Sequence, residues 1–276
     1  KGVKVSTTID EPYEEERRSS GLIYSGIYNS NSGVNNLNQF IQAEKITKDL
    51  NPDYGSIQKL HSGWGQGGDL IALCEDRVLK ILANKDALFN ADGSSNVTSN
   101  KAVLGQAVPY VGEFGISTNP ESFAKYGFRT YFTDRARGAV LRLSQDGLET
   151  LHTKGMGDYF SDKLANTSVA IGSFDDNKSS YNISLQNNKA RGLDDTVSYK
   201  EQVSGWPSRK SYIPENGISL NNVYYTFKNG EMYSHDNEVR NNFYGVQYSS
   251  KVKFIFNESP EVVKSFLTLN YEGSKP

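Results

Sequence analysis

Apolar residues along this chain recur in short alternating runs that come in pairs, each pair separated by a turn signal. This is the pattern of antiparallel hairpins. Residues 70–74 with 78–82, 130–133 with 139–143, 169–174 with 181–185, and 222–227 with 231–235 across Lys228-Asn229-Gly230 each predict such a unit. In the second pair Tyr131 and Phe132 fall on opposite faces, and Gly138 and Gly147 take the tight-turn positions where positive φ is needed. Residues 251–256 and 262–269 also alternate and predict two more strands, joined by Asn257-Glu258-Ser259-Pro260.

Helical spacing is rarer. Leu37, Phe40, Ile41 and Glu44 predict a short helix within 36–50, stopped by Asn51-Pro52 because the residue before proline avoids the α region. Asn119-Pro120-Glu121 reads as N-cap, first-position proline and first-turn acid of a second helix ending at Gly127, and Asp158 opens a third that runs through Leu164. The fold class is therefore mainly β, with antiparallel hairpin repeats in a propeller-like arrangement and a few short helices; the alternative is a β-sandwich. Residues 1–35, polar and holding Glu14-Glu15-Glu16-Arg17-Arg18, read as an extension, 36–200 as the hairpin-repeat β domain, and 201–276 as a C-terminal β segment, either within that domain or separate from it.

Composition changes this picture little. With 276 residues, 36% of them hydrophobic, the chain is long enough to bury a sizeable core, and Tyr 17, Phe 13 and Gly 25 suit strands and tight turns better than a helical bundle. A formal net charge of -2 gives no basic excess for nucleic acid, and no apolar run reaches the length of a membrane span. Cys74 lies in the apolar run 70–74, which makes it a buried strand position. The chain starts at Lys1 without methionine, which fits a processed product or a piece of a longer polypeptide.

Apparent chemical motifs lose force in context. Gly63-Trp64-Gly65-Gln66-Gly67-Gly68 has dinucleotide-fingerprint spacing, but a strand follows it where the pyrophosphate site requires a helix N-terminus. His61, His152 and His235 have no second ligand at metal spacing. Asp175-Asp176-Asn177 and Asp194-Asp195 are explained by turn formation and lack the spaced acids of a calcium loop. Arg135, Arg137 and Arg142, interleaved with Tyr131 and Phe132, read as solvated charge or interface salt bridges in preference to a nucleic-acid surface. Sequons start at Asn96, Asn166, Asn182 and Asn257. No G-x-S-x-G elbow occurs. No catalytic residue, cofactor or metal ligand is assigned.

The stretch GISTNPESFAKYGFRTYFTDRARGAVLRLSQDGL, from Gly115 to Leu148, resembles a block in virion structural proteins of crAss-like bacteriophages, the stabilization or muzzle group, with related blocks in structural proteins of marine tailed phages. The segments YGSIQKL, LCEDRVLKILANKDALFNADG, VLGQAVPYVGEFG, IGSFDDNKSSYNISL and NNFYGVQYSSKVKFIFNESPEVVKSFLTLNYEG extend the likeness in order over roughly residues 40–273. The resemblance implies a tail structural component at the distal end of the virion, which assembles with other tail proteins as a homo-oligomeric ring and stabilises the tail. It carries no catalytic motif and leaves contact with a host surface open. The alternative reading is a receptor- or carbohydrate-binding propeller module, in which exposed Trp64, Trp206 and tyrosines stack on sugars.

Overall fold

A computed structural model describes residues 18–26, 28–40, 46–63, 68–89, 95–187, 194–253, 259–268 and 270, with the backbone alone for 84–89 and 95–102. The described chain is mainly β, all its sheets are antiparallel, and it has one α-helix. It divides into two units, 1–240 and 241–276.

The first unit opens with a ribbon of β1 (Gly21–Ile23) and β2 (Thr47–Asp49). Three four-stranded sheets follow, each made of consecutive strands. The first is β3 (Ile57–Ser62), β4 (Leu70–Cys74), β5 (Val78–Phe89) and β6 (Ser95–Pro109). The second is β7 (Ala124–Tyr126), β8 (Arg129–Asp134), β9 (Ala139–Ser144) and β10 (Gly147–Thr150). The helix α1 (Gly157–Asn166) leads to the third, β11 (Val169–Asp175), β12 (Ser180–Gln186), β13 (Asp195–Lys200) and β14 (Gly205–Lys210). A three-stranded sheet of β15 (Asn216–Leu220), β16 (Val223–Lys228) and β17 (Glu231–Ser234) completes the series. All four hairpins expected from the alternation are present, at β4–β5, β8–β9, β11–β12 and β16–β17.

The second sheet explains how two neighbouring aromatics serve two cores. Successive strand residues point to opposite faces. Tyr131 joins Val140, Phe160, Phe174 and Tyr181, while Phe132 joins Ile71, Leu73, Leu141 and Leu143. The sheet is thus covered on both faces, which is why β8 and β9 are buried almost throughout. Tyr131 and Tyr181 stack with ring centroids 4.9 Å apart, and each buried hydroxyl has a partner: Tyr131 donates to Glu201 Oε1 at 2.9 Å and Tyr181 to the Ser122 carbonyl at 2.8 Å. Gly138 has φ 63° and Gly147 φ 109°, as the turn reading requires.

The helical expectations fare less well. In 36–50 no described residue is helical: Thr47–Asp49 pairs with β1, Leu37 and Phe40 are exposed, and 41–45 lie outside the described residues. The Asn35 side chain accepts from Leu37 N–H at 3.1 Å, a local bond that competes with a helical turn. The helix expected from Asn119 is only the 3-10 turn Pro120–Ser122, because β7 begins at Ala124 and pairs with β8. Gly127, with φ 54°, turns that hairpin and does not end a helix. The third helix is present as α1, but Asp158 sits in its first turn behind the N-cap Met156.

The second unit holds a two-residue hairpin of β18 (Asn242–Phe243) and β19 (Val246–Gln247), turned by Tyr244 and Gly245 with φ 54° and 80°. The strands expected at 251–256 and 262–269 do not form in 251–253 or 262–268, and 254–258 and 269 lie outside the described residues. Val263 and Leu267 are 100% and 90% exposed. Alternation makes a strand only where a neighbouring ladder and an apolar surface receive it.

Candidate functional site

The first strands of the four sheets line one cleft of about 540 Å³. Lys59 comes from β3, Glu121 and Phe123 from the approach to β7, Lys125 from β7 itself, Ile171–Phe174 from β11, and Gly217, Ile218 and Ser219 from β15, with Asp176, Glu215 and Asn216 at the strand ends. The volume lies in the range of about 300–1,000 Å³ usual for ligand clefts.

Glycine lets these strands approach. A Cβ on Gly172 would sit 1.9 Å from the Ser122 carbonyl oxygen, and one on Gly217 would sit 2.8 Å from the Tyr224 hydroxyl and 2.9 Å from Ser173 Cβ. Hydroxyls then tie β11 to the fourth sheet. Ser219 Oγ donates to the Phe174 carbonyl at 2.9 Å and accepts from Asp176 N–H at 3.1 Å, and Ser173 Oγ lies 2.6 Å from the Tyr224 hydroxyl.

The cleft lining carries both signs of charge. The Lys59 ammonium lies 5.3 Å from the Phe123 ring centroid and the His61 ring packs on the same phenyl at 5.4 Å. Burial, followed by the charges of Lys125 and Lys59, lowers the His61 pKa and favours the neutral imidazole. Among the described residues no carboxylate lies within salt-bridge distance of Lys59 or Lys125. The lining also carries Glu121, Asn216, Glu215, whose Oε1 accepts from Asn229 N–H at 3.0 Å, and Asp176, which bonds to Ser219 near the far end of β15 from Glu215.

Of the residues weighed from sequence, His61 and Asp176 come to this cleft or its border. His152 Nδ1 lies 3.4 Å from the Val140 backbone nitrogen, and His235 Nε2 lies 2.7 Å from Thr226 Oγ1 between Tyr212 and Tyr224. Among the described residues no three His, Cys, Asp or Glu side chains gather as metal ligands. Asp175 is buried and accepts from Lys178 N–H at 3.1 Å, the turn role expected of it; Asp194 accepts from Asn187 N–H, and Asp195 from the Tyr159 hydroxyl at 2.8 Å. Gly63 closes a strand-to-strand loop by donating to Asp69 O, and 64–67 lie outside the described residues.

The arginines divide by position. Arg135 is a half-buried loop residue, whereas Arg137 joins Asp134 to Asp76 at 2.9 and 3.0 Å and so links the second sheet to the first. Arg142 is an interior strut paired with Glu149 and, at 2.6 Å, with Glu201. Cys74 is fully buried, and burial followed by the Glu75 charge pushes its thiol up to about 11. Of the sequons, Asn182 is 1% exposed, beyond reach of glycosylation, while Asn166 is exposed at the end of α1. Trp206 packs on Phe160 and Tyr199 and donates to the Leu151 carbonyl at 3.1 Å, so it is no sugar platform; Trp64 lies outside the described residues.

Lys59, Phe123 and Lys125 were not singled out by sequence reasoning. Lys59-x-His61 within a strand places two basic groups on one face, a signal that alternation alone supplies. Residues 238–276 match the family described as Crassvirus muzzle protein C-terminal domain, the same group that the sequence resembles, and the match begins almost at the boundary between the two units. No curated protein matches the chain.

Proposed function

From a chain that carries the C-terminal domain of a Crassvirus muzzle protein, and is thus a crAss-like phage virion component, we propose a structural role in assembling and stabilising the tail, without turnover of a substrate. The observation that carries this reading is the exposed apolar content of the family-matched segment: Val252, Val262, Val263 and Leu267 are 75%, 55%, 100% and 90% exposed. Clustered exposed apolar side chains mark surfaces that other chains cover. Neighbouring tail proteins and further copies of this chain in a ring are the covering partners.

Successive meander sheets whose first strands meet around one cleft support a propeller-like arrangement in preference to a sandwich, which would pack two sheets face to face. Electron cryo-microscopy of purified virions tests both statements. The expected result is density for the chain in the tail at fixed stoichiometry, with its sheets radial about the cleft and 241–276 against a neighbouring chain. Density outside the tail, or 241–276 free of contacts in the particle, would overturn the assembly role.

A further inference from the structure

The cleft between the first strands is built to discriminate, and its chemistry goes beyond a stiffening role. Two ammonium groups from adjacent sheets, Lys59 and Lys125, line the cleft and both lie near enough to His61 to favour its neutral form, with Phe123 holding the Lys59 ammonium in place of a carboxylate. These ammonium groups favour an anion, and charge-assisted hydrogen bonds from Lys to a carboxylate are about twice as strong as neutral ones. The lining also presents acceptors, the carboxylates of Glu121, Asp176 and Glu215, with the Asn216 amide able both to donate and to accept. A polyanion placed along the whole cleft would meet these carboxylates and be repelled. A ligand with one anionic group and a body of hydroxyls satisfies both the ammonium groups and the acceptors.

We propose that this cleft binds an acidic saccharide, with the sugar carboxylate between Lys59 and Lys125 and the hydroxyls donated to Asp176, Glu215 and Asn216. The mixed-charge lining favours this over an acidic peptide, which repeats its charge at every residue. The volume of about 540 Å³ accommodates a small oligosaccharide, and the rigid walls reduce the ordering cost of binding. The glycines at 172 and 217 hold the walls close enough to act on one ligand.

The test is isothermal titration and saturation-transfer NMR of the full chain with 3′-sialyllactose and 6′-sialyllactose, beside neutral lactose and hexaglutamate. The acidic sugars are expected to bind saturably and at least tenfold more tightly than lactose. Lys59→Ala and Lys125→Ala should each weaken them about tenfold, whereas Lys163→Ala on α1 should leave binding unchanged, with unfolding curves of all three variants superimposable on that of the parent chain. Asp176→Asn, which keeps an acceptor but removes charge, should change affinity less than either lysine variant. Absence of saturable sugar binding, equal affinity for lactose, insensitivity to both lysine variants, or tighter binding of hexaglutamate would overturn the proposal. None of these results bears on the virion role, which the particle density tests separately.

Discussion

Between the second and third sheets Tyr131, Tyr181, Phe160 and Leu164 are wholly buried, and the buried tyrosine hydroxyls are hydrogen-bonded; in 241–276 Val263 and Leu267 are almost wholly exposed. Both regions are rich in apolar residues with β-like patterning. They differ in whether the same unit supplies a facing surface. Packed aromatics bring their full transfer free energy to the stability of the chain, whereas an exposed leucine brings almost none until another molecule covers it. The interior is therefore where this chain stabilises itself, and under the proposed assembly role the exposed family-matched segment is the surface it offers to others.

The sharpest way to break that comparison is a pair of truncations. Tyr181→Ala should cost about 3–5 kcal/mol in urea unfolding of the isolated chain, by loss of a fully buried ring, and Leu267→Ala less than about 0.5 kcal/mol. Comparable losses at the two sites would mean that 241–276 is part of the stabilising core. Incorporation into virions should reverse the ranking, with Leu267→Asp lowering occupancy of the particle while the isolated chain unfolds normally.

A smaller effect separates two turns of the second sheet. At Gly138 the backbone has φ 63° and an added Cβ would lie 2.8 Å from Ser161 Cα, so the hairpin tip presses on α1; at Gly147 φ is 109° but the space is open. Gly138→Val should cost about 2–4 kcal/mol, combining backbone strain with the clash, and Gly147→Val about 1–2 kcal/mol from strain alone. Thermal unfolding of both variants measures the difference. Equal shifts would show that the tip does not press on the helix.

Next comes acid. His235, packed between Tyr212 and Tyr224, has its pKa lowered to about 4, by burial first, with Lys178 and Lys210 adding to the shift and Asp236 opposing it. Above about pH 6.5 the imidazole is neutral in folded and unfolded chains alike. As the pH falls from there toward 4 the unfolded chain takes up the proton and the folded one does not, so stability declines across that window. Asp175 has the opposite sign: its raised pKa lets the folded chain bind a proton first, which adds stability as the pH approaches the ordinary carboxylate range. His235→Gln should flatten the decline between pH 6.5 and 4 in a pH series of melting temperatures. An unchanged slope would place the titration elsewhere.

The smallest expected change is at the surface ribbon. Arg18 and Asp49 pair at 3.6 Å with both side chains 58% exposed, so Arg18→Ala should move stability by less than about 1 kcal/mol. Arg142→Met, at a largely buried strut, should cost more than this because Glu149 and Glu201 would lose their common partner. A double-mutant cycle with Glu201→Gln isolates that coupling.

Local pattern determined the hairpins of this protein. Alternation over 4–7 residues, turn dipeptides and glycines at 138 and 147 act between chain neighbours, so the paired strands and their turns were legible without any tertiary information. The same pattern was insufficient at 262–268, where no ladder receives the alternation, and the capping signal at Asn119 was overridden by the pairing of β7 with β8. Only the tertiary structure decided that Tyr131 and Phe132 belong to different cores, that Arg142 is an interior strut, and that Lys59, Lys125, Asp176 and Glu215 share one cleft. Those residues lie far apart in the sequence, and nothing in their immediate neighbours specifies that they meet. They meet because β7, β11 and β15 are drawn together by glycine-permitted contacts and buried hydroxyl bonds, and β3 joins them where Lys59 and His61 pack on Phe123, a non-local condition that arises when the sheets pack.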